Sequence, residues 1–221
     1  EIDKKKLTLK MQVRQEYYRV KELLDGKRPS RMDLFTYMDD EIYRICVSGS
    51  HAKENPFQHY LDFLYELGEL SEDEQELYAG IGREFIQTIE TTEMQKVYKM
   101  PILYSFYNHG NIRLAVTDEE VLESWKEFFD TGTNWKDFPN VNTYEDYKKV
   151  TDKQHLSKAK RMPITRLKMS GKGFFMEKDG YALALRDEIG EVVGNMAFGK
   201  QMGDVLGYRS LEYYRRRYEK E

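Results

Sequence analysis

Where chains of this kind start helices, a Ser or Thr often stands three residues before an Asp or Glu, and four such pairs here precede apolar-periodic runs or short helical segments: Ser30 with Asp33, Ser71 with Glu74, Thr117 with Glu120, and Thr143 with Asp146. The hydroxyl can accept from the third backbone amide of a helix while the carboxylate reaches back to the cap amide, so each pair marks a helix start. Stops are equally plain. Apolar residues Leu7, Met11, Tyr17, Val20 and Leu24 form a roughly helical stripe that ends at Gly26, with Pro29 beyond it, which predicts a first helix from about Lys5 to Asp25. A short helix then runs from Ser30 through Met38, and Asp39 or Asp40 opens another carrying Ile42 and Ile45. Phe57, Tyr60, Leu61, Leu64 and Leu67 make a third stripe ending at Gly68, and the Ser71 box opens a helix whose face holds Leu77, Tyr78, Ile81, Phe85, Ile86 and Ile89.

From about Thr92 a further helix is expected to reach Pro101, which lacks an amide and should kink or interrupt it before Tyr107. The turn residues Asn108, His109, Gly110 and Asn111 form the expected seam between two parts. Beyond it Ile112, Leu114 and Val116 alternate as in a short strand, and the Thr117 box leads a helix with Val121, Leu122, Trp125, Phe128 and Phe129. Short helices are expected at Tyr144 to Lys149 and at about Asp152 to Arg161, interrupted before Pro163. Around Asp179-Gly180, residues 174–176 and 181–185 read as a hairpin, or a helix claims Tyr181 onward. Two last helices, Asp187 to Lys200 and Ser210 to Lys220 with Ser210 as N-cap, complete the pattern. The expected fold is mainly α and two-part: an acidic all-helical subdomain over 1–108, and a basic, mostly helical one over 109–221 with the hairpin signal near 174–185.

Charge is divided unevenly along this frame. Residues 1–147 hold 18 basic and 29 acidic side chains, a net of −11, whereas residues 148–221 hold 17 and 10, a net of +7. Within the basic part, Lys148, Lys149, Lys153, Lys158, Lys160, Arg161, Arg166, Lys168 and Lys172 face the single acid Asp152 across 25 residues. Such density suits contact with a phosphate backbone, although long basic side chains also form solvated helix faces or dock on acidic neighbours such as the 62–76 stretch. A second cluster closes the chain in Tyr208, Arg209, Tyr213, Tyr214, Arg215, Arg216, Arg217 and Tyr218, mixing guanidinium groups with rings that could stack on bases or on protein. The expected phosphate contacts are Lys158, Lys160, Arg161, Arg166 and Lys168, followed by Arg215, Arg216 and Arg217.

Other chemistry is poorly supplied. With 33% charged residues, a mean hydropathy of −0.77 and no apolar run of membrane-spanning length, the chain is expected to stay off the bilayer, in the cytoplasm. Glycine and lysine at 171–173 and 199–201 give only fragments of a phosphate-binding loop, and no cofactor is expected. His51, His59, His109 and His155 are scattered without metal-ligand spacing; His109 reads as a turn residue. Cys46, the only cysteine, sits between Ile45 and Val47 like a small core side chain. Glu145, Asp146 and Lys148 have the composition of a nuclease fragment, but the Thr143 cap explains the carboxylates without catalysis.

Several segments together resemble the region that follows the motor lobes in bacterial DEAD/DEAH-box helicases, superfamily 2 enzymes of the restriction and phage-defence type. They include Glu16-Tyr17-Tyr18, Arg28-Pro29-Ser30-Arg31-Met32-Asp33-Leu34-Phe35 and Tyr60-Leu61-Asp62-Phe63-Leu64. The likeness is stronger in Tyr104-Ser105-Phe106-Tyr107-Asn108-His109-Gly110-Asn111-Ile112-Arg113, in Gly180 to Leu185, and in Asp204 to Arg209 with Tyr213 to Tyr218. The resemblance implies an accessory C-terminal piece of a longer protein. ATP hydrolysis would then belong to upstream lobes, and the partners would be those lobes and a nucleic acid, DNA before RNA. The acidic first half departs from a nucleic-acid-binding composition, which leaves phosphate contact to the second. The alternative is a module that docks only on protein.

Overall fold

A computed structural model of the chain describes residues 7–219. Its contacts group into two compact units that divide between Gln75 and Glu76, and the Asn108–Asn111 turn lies inside the second. The fold is mainly α, with one small antiparallel sheet.

In the first unit helix α1 (Leu9–Leu23) is capped by Thr8, whose hydroxyl accepts from the Met11 amide at 3.3 Å. The expected start at Lys5 lies outside the described residues. Helix α2 (Arg31–Tyr37) opens on a reciprocal box, the Ser30 amide donating to Asp33 at 2.9 Å and the Asp33 amide to the Ser30 hydroxyl at 3.1 Å. Asp39 caps α3 (Asp40–Cys46), and α4 (Tyr60–Leu67) ends at Gly68, whose φ of 69° a side chain would resist. Tyr17, Val20, Leu34, Cys46 and Leu64 are buried in this unit's core. The Ser71 box opens α5 (Glu72–Ala79), within which the division between units falls.

The stripe expected to continue from Ser71 to Ile89 breaks at Gly80, where a new helix, α6 (Ile81–Thr91), begins. Glycine is the weakest non-proline helix former, and its extended backbone here (φ −119°, ψ −166°) resets the direction. Helix α7 (Lys99–Tyr107) starts later than Thr92, and Pro101 sits in its first turn rather than at a kink. Amides of a first turn have no intrahelical partner, so a missing one costs nothing there. Strand β1 (Ala115–Val116) precedes α8 (Asp118–Asp130), whose Thr117–Glu120 box is complete. Helix α9 (Tyr144–Lys148) follows, then α10 (Asp152–Ala159), opened by a Thr151–Gln154 box that the acidic pattern did not include. Pro163 does not end this run. A π turn over Lys160–Ile164 absorbs it and leads into α11 (Thr165–Ser170).

Strands β2 (Phe175–Met176) and β3 (Leu183–Leu185) pair antiparallel, so the hairpin reading holds and the helix from Tyr181 does not. Strand β3 is central, with Ala115 opposite Ala184 and Phe175 opposite Leu185, and all its residues are buried. The two expected C-terminal helices are replaced by a 3₁₀ segment, Asp187–Glu191, and one long helix, α12 (Met196–Tyr218), capped by Asn195. Ser210 is therefore a mid-helix residue and not an N-cap. Gly199, Gly203 and Gly207 lie one turn apart along α12. At Gly203 a Cβ would stand 2.7 Å from the Tyr107 Cζ, so only glycine lets α12 approach α7. The unit's core is aromatic: Trp125 lies 5.0 Å from Phe129, and Phe85 contacts Phe174 and Phe198 at 5.4 and 5.6 Å between ring centroids.

Candidate nucleic-acid interface

The basic stretch 152–172 becomes one nearly continuous helical run, and its buried positions recur every fourth residue: His155, Ala159, Pro163, Leu167 and Gly171. Two features hold that stripe down. The His155 ring packs edge-on against Phe138 at 5.0 Å and Tyr147 at 5.7 Å, and burial lowers its pKa, favouring the neutral ring. At the other end a Cβ on Gly171 would overlap the Phe175 ring and fall 2.5 Å from the Leu167 carbonyl oxygen, so the run abuts β2 where only a glycine fits. The intervening cations are left on the outer side.

They do not share one fate. Lys160 is paired with Asp118 at 2.9 Å and Lys168 with Glu177 at 2.6 Å; Lys148 and Lys149 face Glu145 and Asp146 one turn away. Asp152, the stretch's one acid, is occupied by Lys126 at 2.8 Å. Among the described residues, Lys153, Lys158, Arg161, Arg166 and Lys172 have no carboxylate within 4 Å. Lys158 and Arg161 stand three residues apart in the same run, and exposed Met162 and Met169 lie between and beyond the arginines.

The C-terminal cations are tied to their own helix and to one buried acid. Arg216 pairs with Glu212 at 2.9 Å and Arg215 with Glu219 at 3.5 Å, both one turn away. Arg217 reaches Asp137, 2.9 Å from its Nε, at a carboxylate that is 1% exposed. Tyr213 and Tyr218 donate to the same carboxylate, so both tyrosines anchor α12 through their hydroxyls. Of the cations expected to contact phosphate, Lys158, Arg161 and Arg166 lie in one helical run without a carboxylate beside them, while Lys160, Lys168, Arg215, Arg216 and Arg217 have protein carboxylates beside them.

Of two further cations, Lys99 had no signal in the local sequence and Arg209 stood out only as a member of the C-terminal Tyr/Arg cluster. Lys99 donates to Thr92 Oγ1 at 2.9 Å, the Glu93 carbonyl at 2.7 Å and Ser170 Oγ at 3.2 Å, joining α7 to the end of α11. Burial, with Arg209 nearby, lowers its pKa. Arg209 itself donates to the carbonyls of Ile89 and Thr92, at 2.9 and 2.6 Å, closing the C-terminus of α6. Only the tertiary fold could reveal these roles, because their partners lie far away in sequence.

Catalytic alternatives find little support in the geometry. Asp146 accepts from the Thr143 hydroxyl at 2.8 Å and its amide returns the bond, a helix cap. Among the described residues no group of three His, Cys, Asp or Glu side chains is placed to hold a metal ion. Cys46 is buried, its thiol donates to the Tyr43 carbonyl, and burial pushes its pKa up to about 12, far from a reactive thiolate. No described helix is long and apolar enough to cross a membrane. No protein-family model, curated protein or solved structure matches the chain.

Proposed function

We propose that this chain is a non-catalytic accessory module of a nucleic-acid helicase, positioning the phosphate backbone of DNA, or less favourably RNA, against its parent's motor lobes. The reading rests on one observation: Lys158, Arg161 and Arg166, flanked by Lys153 and Lys172, remain unpaired on a helical run whose buried stripe fixes it to the core. Cations on a rigid element bind phosphate without base preference and release counterions on doing so. For the helicase part, two of the three segments most like helicase tails, residues 104–113 and 204–209 with 213–218, lie largely on α7 and α12, which pack on each other.

Fluorescence anisotropy with labelled duplex, single-stranded DNA and RNA at low and rising salt tests it. Affinity should fall steeply with salt and should be lost on reversing Lys158, Arg161 and Arg166 to Glu. Absence of binding at low salt to all three probes refutes the reading. The second reading, docking on protein alone, is favoured by the carboxylates already beside Lys160 and Lys168. It wins if the charge-reversed variant keeps its nucleic-acid affinity and loses the motor lobes in a pull-down.

A further inference from the structure

On the second unit α8 carries a row of carboxylates away from the basic run. Asp118 and Lys126 of α8 meet Lys160 and Asp152, whereas Glu120, Glu123 and Glu127 line an open cleft of about 520 Å³ between α7, α8 and α12. Its aromatic lining is a connected series: Tyr107 to Tyr104 at 6.0 Å, Tyr104 to Phe128 at 6.0 Å, and Phe128 to Tyr214 at 6.3 Å between centroids. Gly207 leaves the α12 wall without a side chain at that level, and the Ser210 hydroxyl in the same wall is buried beside Tyr104.

Charge decides what fits. Glu120 is engaged by the Thr117 cap and by Arg113 at 3.3 Å, and Arg113 also donates to the Ser105 carbonyl. Glu127 has only His109 at 3.4 Å, and Glu123 has no cation within 4 Å among the described residues. A phosphate or carboxylate guest would meet these acids and be repelled. A cation on an apolar stem would lay its stem along tyrosine faces and set its head at the carboxylates, gaining cation–π and charge-assisted contacts together. From Glu120 to Phe128 the α8 wall spans about 12 Å at the helical rise, which matches about four extended residues better than one small amine.

We propose that this cleft binds a basic peptide segment of a protein partner, with alternating Arg or Lys and aliphatic side chains, independently of the cationic run. Titrating the full chain with a labelled hexapeptide of alternating Arg and Leu should give saturable binding. Glu123→Gln with Glu127→Gln, both at exposed positions, should weaken it about tenfold or more, while Glu119→Gln, outside the cleft, should leave it unchanged. Unfolding midpoints equal to that of the parent protein establish that the variants are folded. No saturable binding, or equal affinity in the double variant, overturns the proposal. So does an equally tight complex with the Glu–Leu hexapeptide, or competition by spermidine at equal affinity, which would assign the cleft to free amines instead.

Discussion

Tyr213 of α12 donates its hydroxyl to the Asp137 carboxylate at 2.7 Å, joining residues 76 positions apart inside the second unit. Tyr218 at 2.9 Å and Arg217 at 2.9 Å converge on the other oxygen, and Tyr98 donates to the Asp137 carbonyl at 2.8 Å. A carboxylate so enclosed is stabilising only while its partners remain, since a buried acceptor or donor left alone keeps its full desolvation penalty.

Asp137→Ala should therefore destabilise the protein by about 2–4 kcal/mol, because it strands the Tyr213 hydroxyl and removes the counter-charge of Arg217. Tyr213→Phe deletes one donor and keeps the ring, so about 1–2 kcal/mol is expected. Urea unfolding followed by circular dichroism measures both. A change below about 0.5 kcal/mol in Asp137→Ala would mean that α12 is held by apolar packing alone.

Alkaline pH probes the same contact. Burial first, then the bond to Asp137, raises the Tyr213 pKa, and Tyr147 is raised by burial and by its 2.6 Å bond to Asp130. The folded state thus holds these protons more tightly than the unfolded chain. The associated stability is fully present below the ordinary tyrosine pKa of about 10 and is lost as pH rises beyond it towards the folded values. Stability measured between about pH 9 and 11 should fall, and Tyr213→Phe should make that fall shallower. An unchanged slope would contradict a bonded, protonated Tyr213.

These contacts also mark the limit of what the sequence discloses. Ser30 with Asp33 and Thr117 with Glu120 were legible as caps because donor and acceptor lie three residues apart and need no tertiary partner. Gly68 was legible as a stop for the same local reason. The role of Gly203 in α12 was not: in sequence a glycine weakens a helix, whereas in the fold this one admits Tyr107. Nor was the difference between Arg161, which is unpaired, and Arg217, which is held by an acid far away in sequence. Charge density along a chain gives the number of cations in a stretch and says nothing of which ones already have carboxylates.

In the first unit Glu74 closes the Ser71 box, accepting from the Ser71 amide at 2.9 Å, and also receives both terminal nitrogens of Arg28. Burial alone would raise the Glu74 pKa, yet Arg28 and the Ser71 amide hold it below the ordinary carboxylate value. A depressed folded pKa means that the stabilisation is present above the unfolded pKa and disappears as pH falls through the folded one. Arg28→Ala should cost about 2–3 kcal/mol at neutral pH by removing a bidentate counter-charge from that buried carboxylate. The gap from the parent protein should narrow below about pH 4, as Glu74 becomes protonated in both. Chemical denaturation at pH 7 and pH 3.5 reads the difference; a gap independent of pH would assign the loss to packing of the arginine stem.

The two groups of cations should separate in a single experiment. Reversing Lys158, Arg161 and Arg166 removes unpaired, outward charges, so thermal stability should change little while nucleic-acid affinity drops. The log–log salt dependence should lose about 0.9 per phosphate contact removed. Arg217→Ala should do the opposite, since its guanidinium sits against Asp137: a lower unfolding midpoint, with nearly unchanged affinity at temperatures where the variant is folded. Anisotropy titrations at several salt concentrations, paired with thermal melts, give both quantities for each variant. Should Arg217→Ala weaken binding as much as the triple reversal without lowering the midpoint, phosphate contact would belong to the end of α12 and not to the run from α10 to α11.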